Sequence, residues 1–163
     1  MSYYNSTPIT QLTPGTASKI TDVFAAVDTT DTTQSPSGTT KKYTLAQIQN
    51  YLNIFEWELV TDNTKTMEIN HGYITDNSVI PVAFTLPTVA PVGSIIQVAG
   101  MSPGLYTIAQ NAGQQILFGS QMTTLGVAGS LAAILSTDYV QLVCVRANVL
   151  FSVIGVQNAL TVI

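Results

Sequence analysis

Short segments with alternating apolar and polar residues fill the C-terminal two thirds of the chain. The alternation is clearest over 139–145 and 149–156, which a short turn near Asn148 joins into a predicted hairpin. Turn signals such as Ser-Pro-Gly and Asn-Ala-Gly separate the segments at intervals of about 8 to 15 residues. This punctuation predicts a mainly β fold, an antiparallel sandwich of the jelly-roll kind. The predicted strands are 56–60, 66–70, 79–86, 93–99, 105–109, 115–118, 131–135, 139–145 and 149–156.

A helical period replaces the alternation just before the first of these strands. Apolar residues recur there at spacings of three, four and three, which predicts a short amphipathic helix over about 44–55. Thr44 is suited to cap its start, and Gln47 completes a capping box. Because isolated helices below about 12–15 residues are marginal, the stripe needs a partner surface, and we expect it at the seam of a trimer. The seam residues are Leu45, Ile48, Leu52 and Phe55.

The N-terminal segment 1–42 is rich in Thr, Ser, Pro and Asp, and Ser-Pro-Ser-Gly at 35–38 predicts a turn. Its strand density is too low for a core, so we expect it to become ordered against a partner. The predicted organisation is therefore a docking arm with a helix over 1–55 and a β-rich body over 56–163. The apolar residues predicted to dock are Ile9, Leu12, Ile20, Val23, Phe24 and Val27.

Charge is scarce and unevenly distributed in this 163-residue chain. Charged residues make up 9%, against about 25% in ordinary soluble proteins, and the net charge is −4. This composition excludes a polycationic surface for nucleic acid. From 77 to 163 the only charged residues are Asp138 and Arg146. An uncharged surface of that extent favours burial in an oligomer.

Neither an export signal nor a membrane span is predicted. The first ten residues lack a basic region and an apolar region, and no apolar stretch approaches the ~20 residues that cross a bilayer. We therefore expect synthesis in a cytoplasm and no membrane insertion. The single Cys144 lies within a predicted central strand, which indicates a small buried apolar residue.

Candidate catalytic groups occur, but without the context that catalysis requires. His71 with Ser78 and a nearby aspartate suggests a hydrolytic triad, yet no nucleophile-elbow motif surrounds the serine. Glu56 and Glu58 share a strand face, as a glycosidase carboxylate pair would, but the domain is small for a polysaccharide groove. A solvated turn histidine and a polar strand face are the preferred interpretations. We assign no catalytic or cofactor-binding residue.

Two groups of acidic residues are candidate cation sites. One combines Asp62, Glu68 and Asp76, for which a polar strand face is preferred. The other is Asp28 with Asp31, which lack the glycine and the bidentate glutamate of a calcium loop. One cysteine and one histidine also exclude Cys-rich and multi-His metal sites. We assign no metal ligand.

Several short sequence motifs, in their order along the chain, resemble those of structural proteins of tailed-phage and prophage particles. Residues 8–52 resemble the opening module of fibre proteins, and residues from 106 onward are similar to a β-rich module that ends many virion proteins. The N-terminal phrases are ITQL at 9–12, VFAAVD at 23–28 and TKKYTLAQI at 40–48. The C-terminal phrases are QNAGQ at 110–114, FG at 118–119, GSL at 129–131, VQLVCV at 140–145 and VIGVQN at 153–158.

This resemblance implies a non-enzymatic virion component, a trimeric head or tail fibre or spike attached through its N-terminus. The implied partners are two further copies of the chain and a capsid, portal, collar or tail protein, with a host surface glycan left open. Two alternatives remain. One is a capsid decoration protein that stabilises the head, and the other is a carbohydrate-binding module.

Overall fold

The computed structural model describes residues 23–45, 47–48, 52 and 54–163, and the chain divides into two compact units, 1–54 and 55–163. In the first unit, β1 (Val23–Asp28) pairs antiparallel with β2 (Thr39–Thr44). The sequence predicted no such hairpin. Apolar and polar residues do not alternate along β1, because nearly all of its side chains are exposed and no core selects one face.

A helical segment follows β2 directly, since Leu45, Gln47 and Ile48 are helical. The predicted capping box is present: the Gln47 backbone N–H donates to Thr44 Oγ1 at 3.2 Å, and the Thr44 backbone N–H donates to Gln47 Oε1 at 2.8 Å. The Leu52 N–H donates to the Ile48 carbonyl, as in a helix. None of the described helical residues belongs to a helix long and apolar enough to cross a bilayer.

The second unit is mainly β, as predicted, and forms two sheets. The seven-stranded sheet has the order β10-β9-β13-β12-β7-β5-β3, and the five-stranded sheet has the order β14-β11-β8-β6-β4. The strands are β3 (Glu56–Val60), β4 (Thr64–Thr66), β5 (His71–Thr75), β6 (Val82–Thr85), β7 (Ile95–Gly100), β8 (Tyr106–Ala109), β9 (Gln115–Phe118), β10 (Gln121–Met122), β11 (Ser130–Ala133), β12 (Tyr139–Arg146), β13 (Leu150–Gln157) and β14 (Leu160–Val162).

Strands β3 to β8 alternate between the two sheets, so each circuit of the chain adds one strand to each sheet. As a result β3, β5 and β7 run parallel in one sheet, and β4, β6 and β8 run parallel in the other. The structure is consistent with the predicted β-sandwich, but the prediction that its strands are antiparallel was wrong for these six. Alternation of apolar and polar residues shows which face of a strand is buried, but the pattern is the same whether the strand pairs in parallel or antiparallel.

The core lies between the two sheets and draws residues from both. Tyr73 and Phe84 face each other across it, with ring centroids 5.3 Å apart, and Phe84 meets Tyr106 edge-on at 6.3 Å. Cys144 is buried in the same core, which confirms its predicted role, and its thiol donates to the Ala90 carbonyl. The predicted hairpin of β12 and β13 is also present, and Asn148 takes the left-handed conformation in its turn.

Candidate functional site

The charged residues of the second unit lie almost entirely between 56 and 76, where β3 and β4 form one edge of each sheet. Lys65 Nζ lies 2.6 Å from Glu58 Oε1 and 5.9 Å from the centroid of the Tyr73 ring. Glu58 and Lys65 come from different sheets, so their ion pair closes the side of the sandwich over the core. Inward-pointing charges on edge strands also disfavour pairing with foreign strands.

His71 belongs to this charged edge, and its predicted place in a solvated turn was wrong. The turn ends at Asn70, whose φ is 56°, and β5 begins at His71. The imidazole is 17% exposed and stacks at 4.9 Å on Tyr73, while its Nε2 lies 3.5 Å from Glu58 Oε2 without hydrogen-bond geometry. Glu58 is therefore engaged by two neighbours. Within the residues that the structure describes, no three His, Cys, Asp or Glu side chains converge as a metal site would require, at Asp62, Glu68 and Asp76 or elsewhere.

The acidic pair Asp28 and Asp31 is occupied by a lysine. Lys41 Nζ lies 2.7 Å from Asp28 Oδ2 and 3.0 Å from Asp31 Oδ2. Each carboxylate also accepts from the backbone and hydroxyl of the threonine two residues later, Thr30 or Thr33. Hydrogen bonds from Lys41 and Thr30 hold the pKa of the Asp28 carboxyl well below its usual range, and those from Thr33 and Lys41 lower that of Asp31 to about 2. The two Asp-Thr-Thr repeats are thus a pair of Asx turns joined by an internal cation.

The predicted docking residues fall into two groups. Val23, Phe24 and Val27 lie on β1 and are exposed, whereas Ile9, Leu12 and Ile20 lie outside the described residues. Their role in attachment stays a prediction.

The four predicted seam residues do not share one element. Leu45 and Ile48 are half-buried in the helical segment, Leu52 is exposed, and Phe55 belongs to the second unit, where its ring packs edge-on against Trp57 at 5.7 Å. Their place at a trimer seam stays a prediction.

Gln-Asn-Ala-Gly-Gln at 110–114 has a structural role. Gln110 is buried, and its Nε2 lies 2.8 to 2.9 Å from the carbonyl oxygens of Gln114, Thr124 and Gly126, while its Oε1 accepts from the Thr123 hydroxyl. The amide of Gln114 reaches the Pro87 and Asn148 carbonyls at 2.8 and 3.2 Å. These side chains fix the loops at one end of the sandwich.

The outer face of the seven-stranded sheet presents a continuous set of uncharged side chains. Burial alternates along β7 and β12, so Ile96, Val98, Val140 and Leu142 point to the core and their neighbours point outward. Strand register places the outward residues in rows, and none of them is charged. The rows are Leu59–Ile74–Ala99–Tyr139–Gln157, then Trp57–Gly72–Gln97–Gln141–Gly155, and then Ile95–Val143–Ser152–Leu117.

Two glycines make the middle row flat. A Cβ on Gly72 would lie 2.6 Å from the Trp57 ring, and one on Gly155 would lie 3.2 Å from Gln141 Oε1. The indole and the amide therefore lie down on the sheet. Trp57 remains 48% exposed. Partial burial raises the pKa of Tyr139 in the neighbouring row.

The outer face of the five-stranded sheet has small side chains instead. Its register places Thr64, Ala83, Thr107, Ala132 and Thr161 in one row. A second row contains Thr66, Thr85, Ala109 and Ser130. The sequence showed that the body is nearly uncharged, but only the register divides its outward positions into one face of large residues and one of small residues.

No family model fits the chain, and no curated protein resembles it significantly.

Proposed function

We propose that this chain is a non-enzymatic bacteriophage virion protein, a trimeric head or tail fibre or spike attached to the particle through its N-terminal unit. The single observation that carries the proposal is the segregation of charge in the second unit. Ionisable side chains close one edge of the sandwich, while the broad outer face of the seven-stranded sheet is uncharged and bears large side chains. Such a surface suits an assembled particle component better than a free monomer.

The state of the reactive side chains supports a structural role. Glu58 is paired with Lys65 and has His71 as a close neighbour, and Lys41 bridges Asp28 and Asp31, which offsets one of their two charges. A carboxylate that serves as a general acid or nucleophile has to face a substrate rather than an internal cation. These groups are used to hold the fold.

Attachment through the first unit is proposed from its exposed apolar residues. Val23 and Val27 are both 57% exposed on a two-stranded sheet whose outer edges remain open within the described residues. Open strand edges bind extended segments of a partner by adding backbone hydrogen bonds, and neighbouring apolar side chains add specificity. The partner would be a capsid, portal, collar or tail protein, reached after synthesis in the bacterial cytoplasm.

The test is to quantify the chain in purified phage particles and to compare the full chain with a variant that lacks residues 1–54. We expect the full chain on the particle at tens of copies or fewer, and the truncated chain to be soluble but absent from particles. A chain missing from particles overturns the proposal. Hundreds of copies per particle would instead support the alternative of a capsid decoration protein.

A further inference from the structure

We propose that the outer face of the seven-stranded sheet is the surface through which copies of this chain associate. We call it the broad face, defined by the three rows of residues that begin at Leu59, Trp57 and Ile95. The inference rests on the proposed function, which requires a homo-oligomer but does not say which surface forms it.

The size and chemistry of the broad face indicate an interface. The three rows lie mainly on five strands, β3, β5, β7, β12 and β13, which are spaced about 4.8 Å apart, and the rows span about five residues of each, so they present roughly 400 Å². Standard interfaces bury about 800 Å² on each partner, so this face supplies about half of one. Trp57 and Leu59, on the edge strand β3, are 48% and 55% exposed, and the other large apolar residues of the rows are half-buried. Aromatic residues with depleted charge are the composition of interface cores.

A second copy is the occupant that fits the polar groups of the face. In a symmetric oligomer, a charge close to the symmetry axis faces the same charge on another copy. The polar groups here are neutral: Gln97 and Gln141 are cross-strand neighbours, with Tyr139 in the next row. An amide both donates and accepts hydrogen bonds, so it can pair with an identical amide on another copy. A partner recognised by charge would find no complementary group here.

The opposite face offers less for association. Its two rows contain threonine, alanine and serine, whose side chains expose little apolar area and whose hydroxyls remain hydrated. Further exposed apolar residues lie outside the strands of the second unit, such as Val79 at 84% and Val127 at 77%, where they form no row on a sheet. Others lie in the first unit, for which attachment to the particle is proposed. Self-association is therefore assigned to the broad face.

Trp57 provides a direct measurement, because it is the only tryptophan of the chain. In the purified full-length protein we expect an oligomeric mass by light scattering, together with blue-shifted emission and weak quenching by acrylamide. Dilution to monomer should shift the emission to the red and increase quenching. An oligomer whose Trp57 stays open to acrylamide overturns the assignment of the face while leaving the virion role intact.

A matched pair of substitutions provides a second test of the broad face. Gln141→Glu places a carboxylate of the same shape on the broad face, and Thr107→Glu places one at the centre of the opposite face. We expect Gln141→Glu to raise the dissociation constant at least about a hundredfold and Thr107→Glu to leave it unchanged. Circular dichroism checks that both variants fold. Equal effects of the two substitutions, or a monomeric parent protein, also overturn the inference, whereas the protein's presence on phage particles tests the proposed function separately.

Discussion

The two outer faces of the sandwich are both uncharged, yet they differ in the size of their side chains. The broad face has Trp57, Leu59, Ile74 and Tyr139 in adjacent rows, whereas the corresponding central row of the five-stranded sheet alternates threonine and alanine. Hydrophobic association scales with the apolar area removed from water, at about 25 cal/mol per Å². Lack of charge therefore permits association on both faces, and we expect side-chain size to favour it on the broad face.

The largest loss of stability is expected from replacing Gln110, whose buried amide holds the loops at one end of the sandwich. Gln110→Ala removes the donor to three carbonyls and the acceptor for the Thr123 hydroxyl. The Gln114 and Gly126 carbonyls keep backbone donors, but the Thr124 carbonyl and the Thr123 hydroxyl lose this partner. Each buried polar group left unpaired costs about 1–3 kcal/mol, so we expect the free energy of unfolding to fall by roughly 2–4 kcal/mol. Urea denaturation at fixed protein concentration measures it.

Gln115→Ala is the control for this substitution, because Gln115 is only partly buried and donates one hydrogen bond, to the Thr123 carbonyl at 3.1 Å. Its expected cost is about 1 kcal/mol. Similar losses in the two variants would show that the buried amide does not organise this end of the sandwich.

The inward faces of the two sheets should respond alike to alkaline pH. Burial raises the pKa of Tyr73, in the seven-stranded sheet, from 10.0 to about 12, and burial with the nearby charge of Asp138 raises that of Tyr106 still further. Because the folded state favours the neutral phenol, the free energy of unfolding is at its full value below pH 10 and falls as the pH rises through 12. One pKa unit equals about 1.4 kcal/mol, so ionisation of Tyr73 accounts for a fall of about 2–3 kcal/mol.

Tyr73→Phe isolates that contribution. It removes the phenol that accepts from the Glu68 N–H, so the free energy of unfolding at neutral pH falls slightly. Between pH 10 and 12 the variant should lose less stability than the parent, as followed by circular dichroism. An unchanged pH dependence would mean that Tyr73 does not ionise on unfolding in this range.

A smaller and more local effect is expected from Gly72→Ala on the broad face. The new Cβ would lie 2.6 Å from the Trp57 ring and 2.9 Å from that of Phe55, so both rings have to move off the sheet. Overpacking of this kind costs about 1–3 kcal/mol. We expect weaker self-association and a red shift of Trp57 emission in the monomer.

Gly155→Ala is the comparison from the same row, where the nearest atom belongs to the flexible end of Gln141. It should change stability and association little. If both alanine substitutions weaken self-association equally, the close packing of Trp57 on Gly72 does not determine the association of the broad face.

The elements that the sequence predicted are those in which burial imposes a period. β3 and β9 were predicted with their observed bounds, and the hairpin of β12 and β13 was predicted with its turn. The strand predicted at 66–70 is instead β4 at Thr64–Thr66, which ends before the buried Met67. β5 was missed because Asn-His-Gly is typical of a turn. The turn occurs at Asn70, and the strand begins one residue later.

The candidate interface could be predicted only in composition. The sequence shows that 77–163 is nearly uncharged, but it does not show that Trp57, Gln97 and Gln141 share one row. That row depends on parallel pairs of β3, β5 and β7, which form because the chain passes through the other sheet between them. Local patterns contain no information about such circuits, because the contacts join residues far apart in sequence.

The smallest effect is expected in the hairpin of the first unit, which depends on charge where the broad face does not. Lys41 and the two Asx turns lower the pKa of Asp28 and Asp31 from 3.8, the latter to about 2. A lowered pKa means that the carboxylates stabilise the folded hairpin above pH 4 and cease to do so as pH falls to 2 and below. Amide hydrogen exchange should therefore show Thr30 and Thr33 losing protection over this range, while β7 and β12 keep theirs.

Lys41→Met should lower the protection of Thr30 and Thr33 at neutral pH as well, and Lys42→Met, at the neighbouring exposed position, should not. Salt should weaken the hairpin in the parent protein and leave the broad face unaffected, because the hairpin contains solvent-exposed ion pairs and the three rows of the broad face contain no charge. Loss of protection in all these strands together would mean that acid unfolds the whole chain and that the contrast between charged hairpin and uncharged face has no energetic consequence.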